Sequence, residues 1–204
     1  EAALAAWGLS EACLQGLKGL GWSPNVELLA PIAVASAAAV GKHQDALALL
    51  REAASARPEY PELQENLELL AIGAGDQDIA LEANARRPRQ HAVLVRRACM
   101  LFQKRRYQEC VSTALDALST IDDVCRQTPM ALAVGSAAAL RLARTGDSER
   151  LLHALKSRSE WAEFEYFARF ARAGSSAEKI PKDLNVLREG LIAIPSSWML
   201  AANL

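Results

Sequence analysis

The side chains with most chemistry to offer are few: His43, His91 and His153, and Cys13, Cys99, Cys110 and Cys125. A thiol beside an imidazole would make a nucleophile–base pair, and closely spaced cysteines with a histidine would make a zinc site. Neither pattern is written here. The cysteines stand 86, 11 and 15 residues apart, none forms C-x-x-C, and no histidine has the spacing to complete a zinc site. Cys13, Cys99 and Cys110 have apolar or helix-forming neighbours and read as small buried residues. A disulfide framework is not expected at this length and spacing. "AIGAGDQD" (71–78) contains a G-x-G but lacks the preceding strand of a phosphate-binding loop, so it reads as a turn. Asp122–Asp123 and Glu62–Glu65 are paired acids without a polar pocket around them, and read as solvated helix ends. The three histidines read as surface or structural residues, with His43 in a turn, His91 at a helix start and His153 on a helix. No catalytic, cofactor-binding or metal-binding residue is assigned, no cofactor is expected, and the segment does not read as an enzyme.

The charged residues exclude more than they select. The net charge is −1, which argues against a nucleic-acid surface, because neutralising phosphates needs a basic stripe. Among 23 basic residues, 17 are Arg and 6 are Lys. That excess could serve recognition of carboxylates or phosphates, but the favoured reading is a compositional habit of the source. The longest apolar run, "LLAPIAVASAAAV" (28–40), has 13 residues and contains Pro31, too short to cross a bilayer. The chain opens with Glu and shows no charged-then-apolar leader, so the expectation is a cytoplasmic segment whose native beginning is not visible.

The elements that must position these side chains are helices. Half the chain, 51%, is hydrophobic, enough for a sizeable core, and Ala and Leu outnumber β-branched and aromatic residues. "GKHQDALALLREAASARP" (41–58) carries Gly41, Ala46, Ala53 and Pro58, with Ala46, Leu49, Leu50 and Ala53 at i, i+3, i+4 and i+7 on one helical face. Ala12, Ala46 and Ala80 follow one another at intervals of 34 and 34; with Cys110, Leu151 and Asp183 as the next equivalents, the intervals become 30, 41 and 32. A period near 34 is the mark of stacked helix–turn–helix units. Gly41, Gly75 and Gly146 stand where a first helix must end in a left-handed residue and reverse, and Pro58, Pro88 and Pro195 stop second helices. The interval of 41 implies an insertion around "TIDDVCRQT" (120–128).

On these residues the chain resembles a tetratricopeptide-repeat (TPR) array. The fullest unit is "HAVLVRRACMLFQKRRYQECVSTALDAL" (91–118), with Leu94, Ala98, Leu101, Tyr107, Cys110, Ala114 and Ala117 at the family's signature positions. The first helix of 28–40 departs from the pattern, with Ala30 and Val34 where the family prefers an aromatic and a Gly or Ala. The resemblance implies an all-α fold, a right-handed solenoid of stacked antiparallel helix pairs, covering 1–204 as one array. Its approximate units are a partial 1–24, then 25–58, 61–88, 91–120, 129–158 and 160–195, with 196–204 opening a further repeat. Residues 1–8 read as the tail of a first helix, and the uncapped ends read as those of a segment of a longer, bacterial protein.

The resemblance also implies where a partner would bind, because first helices line the concave surface of such arrays. The residues carried there are Ile32, Ala35 and Ala39, then Asn66, Leu69 and Ile72, then Val95, Arg96, Cys99 and Phe102, then Leu140, Arg144, Arg169 and Arg172. This surface would be small-apolar at one end and basic at the other. Asn66 and Arg96 match two of the five residues with which one branch of the family clamps a chaperone's C-terminal carboxylate. Pro31, Ala35 and Ala92 replace the others, so that ligand is not expected. The function implied is a non-catalytic module that binds a peptide or helical segment of a partner protein. One alternative is the substrate-recruiting arm of a larger bacterial enzyme such as a protein glycosyltransferase. Another is a scaffold that self-associates through uncapped apolar ends.

Overall fold

The computed structural model of the chain describes residues 1–23, 25–120, 125, 127–173 and 180–202, without the side chains of 171–173, 180–183 and 198. Pro24, Asp122–Asp123 and most of the expected insertion at 120–128 therefore lie outside the described residues. Among the described residues every regular element is helical, and the chain divides into two compact units, 1–88 and 89–204.

The first unit contains α1 (Ala2–Gly19), α2 (Val26–Val40), α3 (His43–Ala56), α4 (Pro61–Gly73) and α5 (Gln77–Ala85). Each helix packs on the next, and α2 also lies against α4, which is the neighbour pattern of stacked pairs. The burial follows the sequence stripe. In α3, Ala46, Leu47, Leu49, Leu50, Ala53 and Ala54 are buried, while Gln44, Asp45, Arg51 and Glu52 face water. Burying each such leucine contributes about 1.5–3 kcal/mol, and the alanines let the adjoining helices approach. The helix tail expected over 1–8 is not a separate element: α1 runs unbroken through Gly8, which is exposed and has no side chain near it. Glycine lowers helix propensity but does not break a helix when nothing tertiary demands a reversal.

The second unit contains α6 (His91–Gln103), α7 (Tyr107–Ser119), α8 (Thr128–Arg141), α9 (Thr145–Lys156), a 3-10 turn (Ser159–Trp161), α10 (Ala162–Ala173), α11 (Ile180–Ala193) and α12 (Trp198–Ala202). Helix α8 is its centre, packed by α6, α7, α9 and α10 and buried without a break from Thr128 to Pro129 and from Ala131 to Ala139. Gly135 permits the closest approach in this core, since a methyl group there would overlap Ala114 Cβ and crowd Leu151. Leu94, Ala98, Ala117, Leu132, Leu155 and Trp161 complete the packed centre.

Five reversals between helices share one hydrogen-bond pattern. In the first, after α1, the Trp22 amide donates to the Leu17 carbonyl at 2.8 Å behind a left-handed Gly21 at φ 72°, and the other four follow suit. The amide of Lys42 donates to the Ala37 carbonyl, Asp76 to Ala71, Arg106 to Leu101 and Arg144 to Ala139, at 2.8–2.9 Å. In each, the preceding residue is left-handed: Gly41 at φ 72°, Gly75 at 77°, Arg105 at 57° and Ala143 at 57°. This is the Schellman termination, which satisfies the last carbonyls of a helix. Gly41 and Gly75 thus stand as the sequence implied, but Gly146 does not; it lies within α9, and Ala143 makes the turn. The following helices start from the same turn, with Ala46, Ala80, Cys110 and Ser148 each donating to the carbonyl of the residue four earlier, and all four are fully buried. Ser148, rather than Leu151, is therefore the structural equivalent, and the spacing from Cys110 is 38. Its hydroxyl bonds Ser136 at 2.8 Å, where Cys110 Sγ donates to the Ala98 carbonyl at 3.3 Å.

Candidate functional site

The face of first helices in the first unit is made by α2 and α4. Ile32, Ala35 and Ala39 are exposed there, as are Leu69 (45%) and Ile72 (43%), and Asn66 is half-buried with its amide donating to the Glu62 carbonyl at 2.8 Å. Leu28, which the sequence reading did not select, is 74% exposed on the same pair of helices. Between them lies an open groove of about 540 Å³, lined by Glu27, Leu28, Pro31, Glu62, Asn66 and Leu69. Glu27 and Glu62 are hydrogen-bonded to each other across it, and that bond, followed by desolvation and the neighbouring charge, holds the Glu27 carboxyl above its ordinary range. Glu65, also at the groove, is tied to Arg87 at 2.9 Å. The sequence contained the signal for this pair: Glu27 and Glu62 are 35 residues apart, one repeat and one residue, so the stacking of first helices brings them together. Reading Glu62 as a solvated helix end missed it because the neighbour is distant in the chain.

In the second unit the expected surface residues separate. Val95 is fully buried and packs in the core, so it cannot meet a partner; helix α6 turns that position toward α8. Arg96, Cys99, Phe102, Leu140 and Arg144 are half-buried. Phe102 is already covered on one face: the Arg141 guanidinium lies 5.3 Å from its ring centre and 5.0 Å from that of Tyr107, whose hydroxyl it also bonds. Arg144 is paired with Asp147 at 2.7 Å. Arg169 lies over Tyr166 and reaches Glu189 at 3.8 Å, and Glu165 pairs with Lys156 at 3.8 Å. Arg172 lies in α10, and its side chain is outside the described residues.

The groups singled out for chemistry are placed as structural parts. Cys110 is buried as expected, whereas Cys13 and Cys99 are half-buried. Burial, then the nearby Cys125 thiol, pushes Cys99 up to about 11; burial, then Cys99, pushes Cys110 up to about 12. Both are thiols rather than thiolates at neutral pH. His91 is buried, with Nδ1 at 3.1 Å from the Thr120 hydroxyl and Nε2 at 2.7 Å from that of Thr128. The Thr128 hydroxyl also accepts from the Cys125 amide at 3.0 Å and lies 3.4 Å from its thiol. An imidazole and a thiol therefore share one hydroxyl, an arrangement that sequence spacing did not reveal. Thr128 is fully buried, so the cluster ties the start of α6 and the end of α7 to the start of α8 without offering a substrate access. His153 lies exposed on α9. Among the described residues no group of His, Cys, Asp or Glu is arranged to hold a metal ion, and no helix is long and apolar enough to cross a membrane.

No protein-family model matches this sequence, and no curated protein sequence matches it. A solved structure does. A tetratricopeptide repeat protein from Parabacteroides merdae ATCC 43184 superposes with a TM-score of 0.59 at 16% identity, covering 90% of this chain and 71% of that one. The chain therefore has an all-α, TPR-like fold of stacked helix pairs.

Proposed function

We propose that this chain is a non-catalytic protein-interaction module that takes a peptide or helical segment of a partner protein on the face of its first helices. The helix pairs fall, on this reading, into units 25–58, 61–88, 91–120, 129–158 and 160–195. The observation that carries the proposal is the uncovered row of large apolar side chains on one pair of first helices: Leu28, Ile32, Leu69 and Ile72. Four bulky side chains held at 43–74% exposure beside a groove are what an interface core offers before its partner arrives. In the second unit, Arg96, Phe102, Leu140, Arg144, Arg169 and Arg172 would add polar contacts, since guanidinium groups suit carboxylates.

Affinity capture from lysate of the source cell tests this, with two control baits run beside the unaltered chain. Leu69→Ser/Ile72→Ser strips the apolar row, and Arg96→Glu/Phe102→Ala alters the second unit's face. The expected result is one dominant protein that is lost with either pair of substitutions. Capture indifferent to both pairs would place the partner surface elsewhere. A captured protein that is modified by an enzyme joined to this chain would make it a recruiting arm, and concentration-dependent mass in sedimentation would make it a self-associating scaffold.

A further inference from the structure

The groove between α2 and α4 is apolar along its walls and electronegative at its rim. Leu28, Pro31 and Leu69 supply the apolar part, and Glu27 and Glu62 face each other from the two helices. Among the described residues neither carboxyl has a Lys or Arg ion pair, in contrast to Glu65 and Glu68 just behind them, which Arg87 holds at 2.9 and 2.7 Å. Pro31 lies inside α2 and lines the groove beside this pair. Two carboxyls thus face each other at one end of an apolar groove, with no cation between them among the described residues.

We propose that the groove of the first unit takes a basic–apolar segment of a partner protein, seating a lysine or arginine between Glu27 and Glu62 and a bulky apolar residue against Leu28, Ile32 and Leu69. The proposal rests on the interaction-module reading and names the chemistry of its ligand. A cation at the rim would pair with both carboxyls at once. The adjoining side chain would cover the apolar row. A segment with acids beside its apolar residues would instead add a third negative charge to the pair, so the groove discriminates by repulsion as well as by attraction.

The test is fluorescence polarisation with three matched synthetic peptides: an amphipathic leucine–lysine peptide, the same peptide with glutamate for lysine, and the same with serine for leucine. The expected result is that the leucine–lysine peptide binds the full chain about tenfold or more tightly than either control, a decade or more in Kd. In Glu27→Lys/Glu62→Lys the preference between lysine and glutamate peptides should reverse, while Glu27→Gln/Glu62→Gln should level it. In Leu28→Ser/Leu69→Ser binding should be lost with all three. All six substitutions are at surface positions of the groove, and circular dichroism would establish that each variant is folded. Binding that is lost in Leu28→Ser/Leu69→Ser but is equal for lysine and glutamate peptides would overturn this inference and leave the interaction face standing. Binding that ignores the leucine substitutions, or no binding of any peptide, would overturn both.

Discussion

Glu68, Asn84 and Arg87 stand 30 residues before Ala98, Ala114 and Ala117, and the reversals at Asp76 and Arg106 are offset by the same 30. Where one repeat packs three methyl groups, the preceding one packs a carboxylate, an amide and a guanidinium. Glu68 and Asn84 are buried and Arg87's side chain is 8% exposed; Arg87 donates to Glu68 at 2.7 Å, and so does Asn84 at 3.0 Å. Charges taken this far from water persist only while their partners remain. Arg87→Ala is therefore expected to destabilise the chain by about 3–5 kcal/mol, because it strands a buried carboxylate. Replacing all three with apolar residues of like size, Glu68→Leu/Asn84→Leu/Arg87→Met, should recover most of that loss. Urea unfolding measures both. A loss under about 1 kcal/mol for Arg87→Ala would mean that Glu68 reaches water without it.

The helices are joined by turns of one design built from different residues. Gly41 and Gly75 occupy the left-handed position without a Cβ, whereas Arg105 and Ala143 occupy it with one. A Cβ in that region crowds the following carbonyl, and the surrounding bonds to Leu101 and Ala139 hold the strain in place. Ala143→Gly should then raise stability by about 0.5–1 kcal/mol, and Gly41→Ala should lower it by about 1 kcal/mol, although a methyl group at Gly41 would meet no other atom. Thermal unfolding of the two variants checks the pair. Shifts of the same sign would mean that the two turns do not share their geometry.

At the level of the full chain, stability is a sum over neighbouring helix pairs rather than one shared core. The two compact units differ in content: the first carries Trp7 and Trp22 and the buried charged network, the second the continuous apolar helix α8 and Trp161. Unequal units that depend mainly on their neighbours do not unfold as one. Urea transitions followed by far-UV circular dichroism and by tryptophan emission are expected to have different midpoints. Coincident curves would show a single cooperative transition.

The all-α class and the TPR-like fold were legible in the residues because both rest on local rules. Leu and Ala favour helix, the stripe Ala46, Leu49, Leu50 and Ala53 marks one buried face, and Gly41 and Gly75 mark reversals, each within a few residues of chain. The reading failed where a rule of composition met a fact of position. Gly8 and Gly146 are glycines within helices, Ala143 turns the chain without being one, and Val95 lies on a first helix yet faces the core. Contacts across the stack were beyond local reasoning. Glu27 meets Glu62, Glu68 meets Arg87, and His91 meets Thr128, and which of these pairs form depends on small changes in repeat length, 34, 30 and 38 residues. A shift of one residue turns a helical side chain by about 100°, so only packing decides which acid finds a cation and which faces another acid.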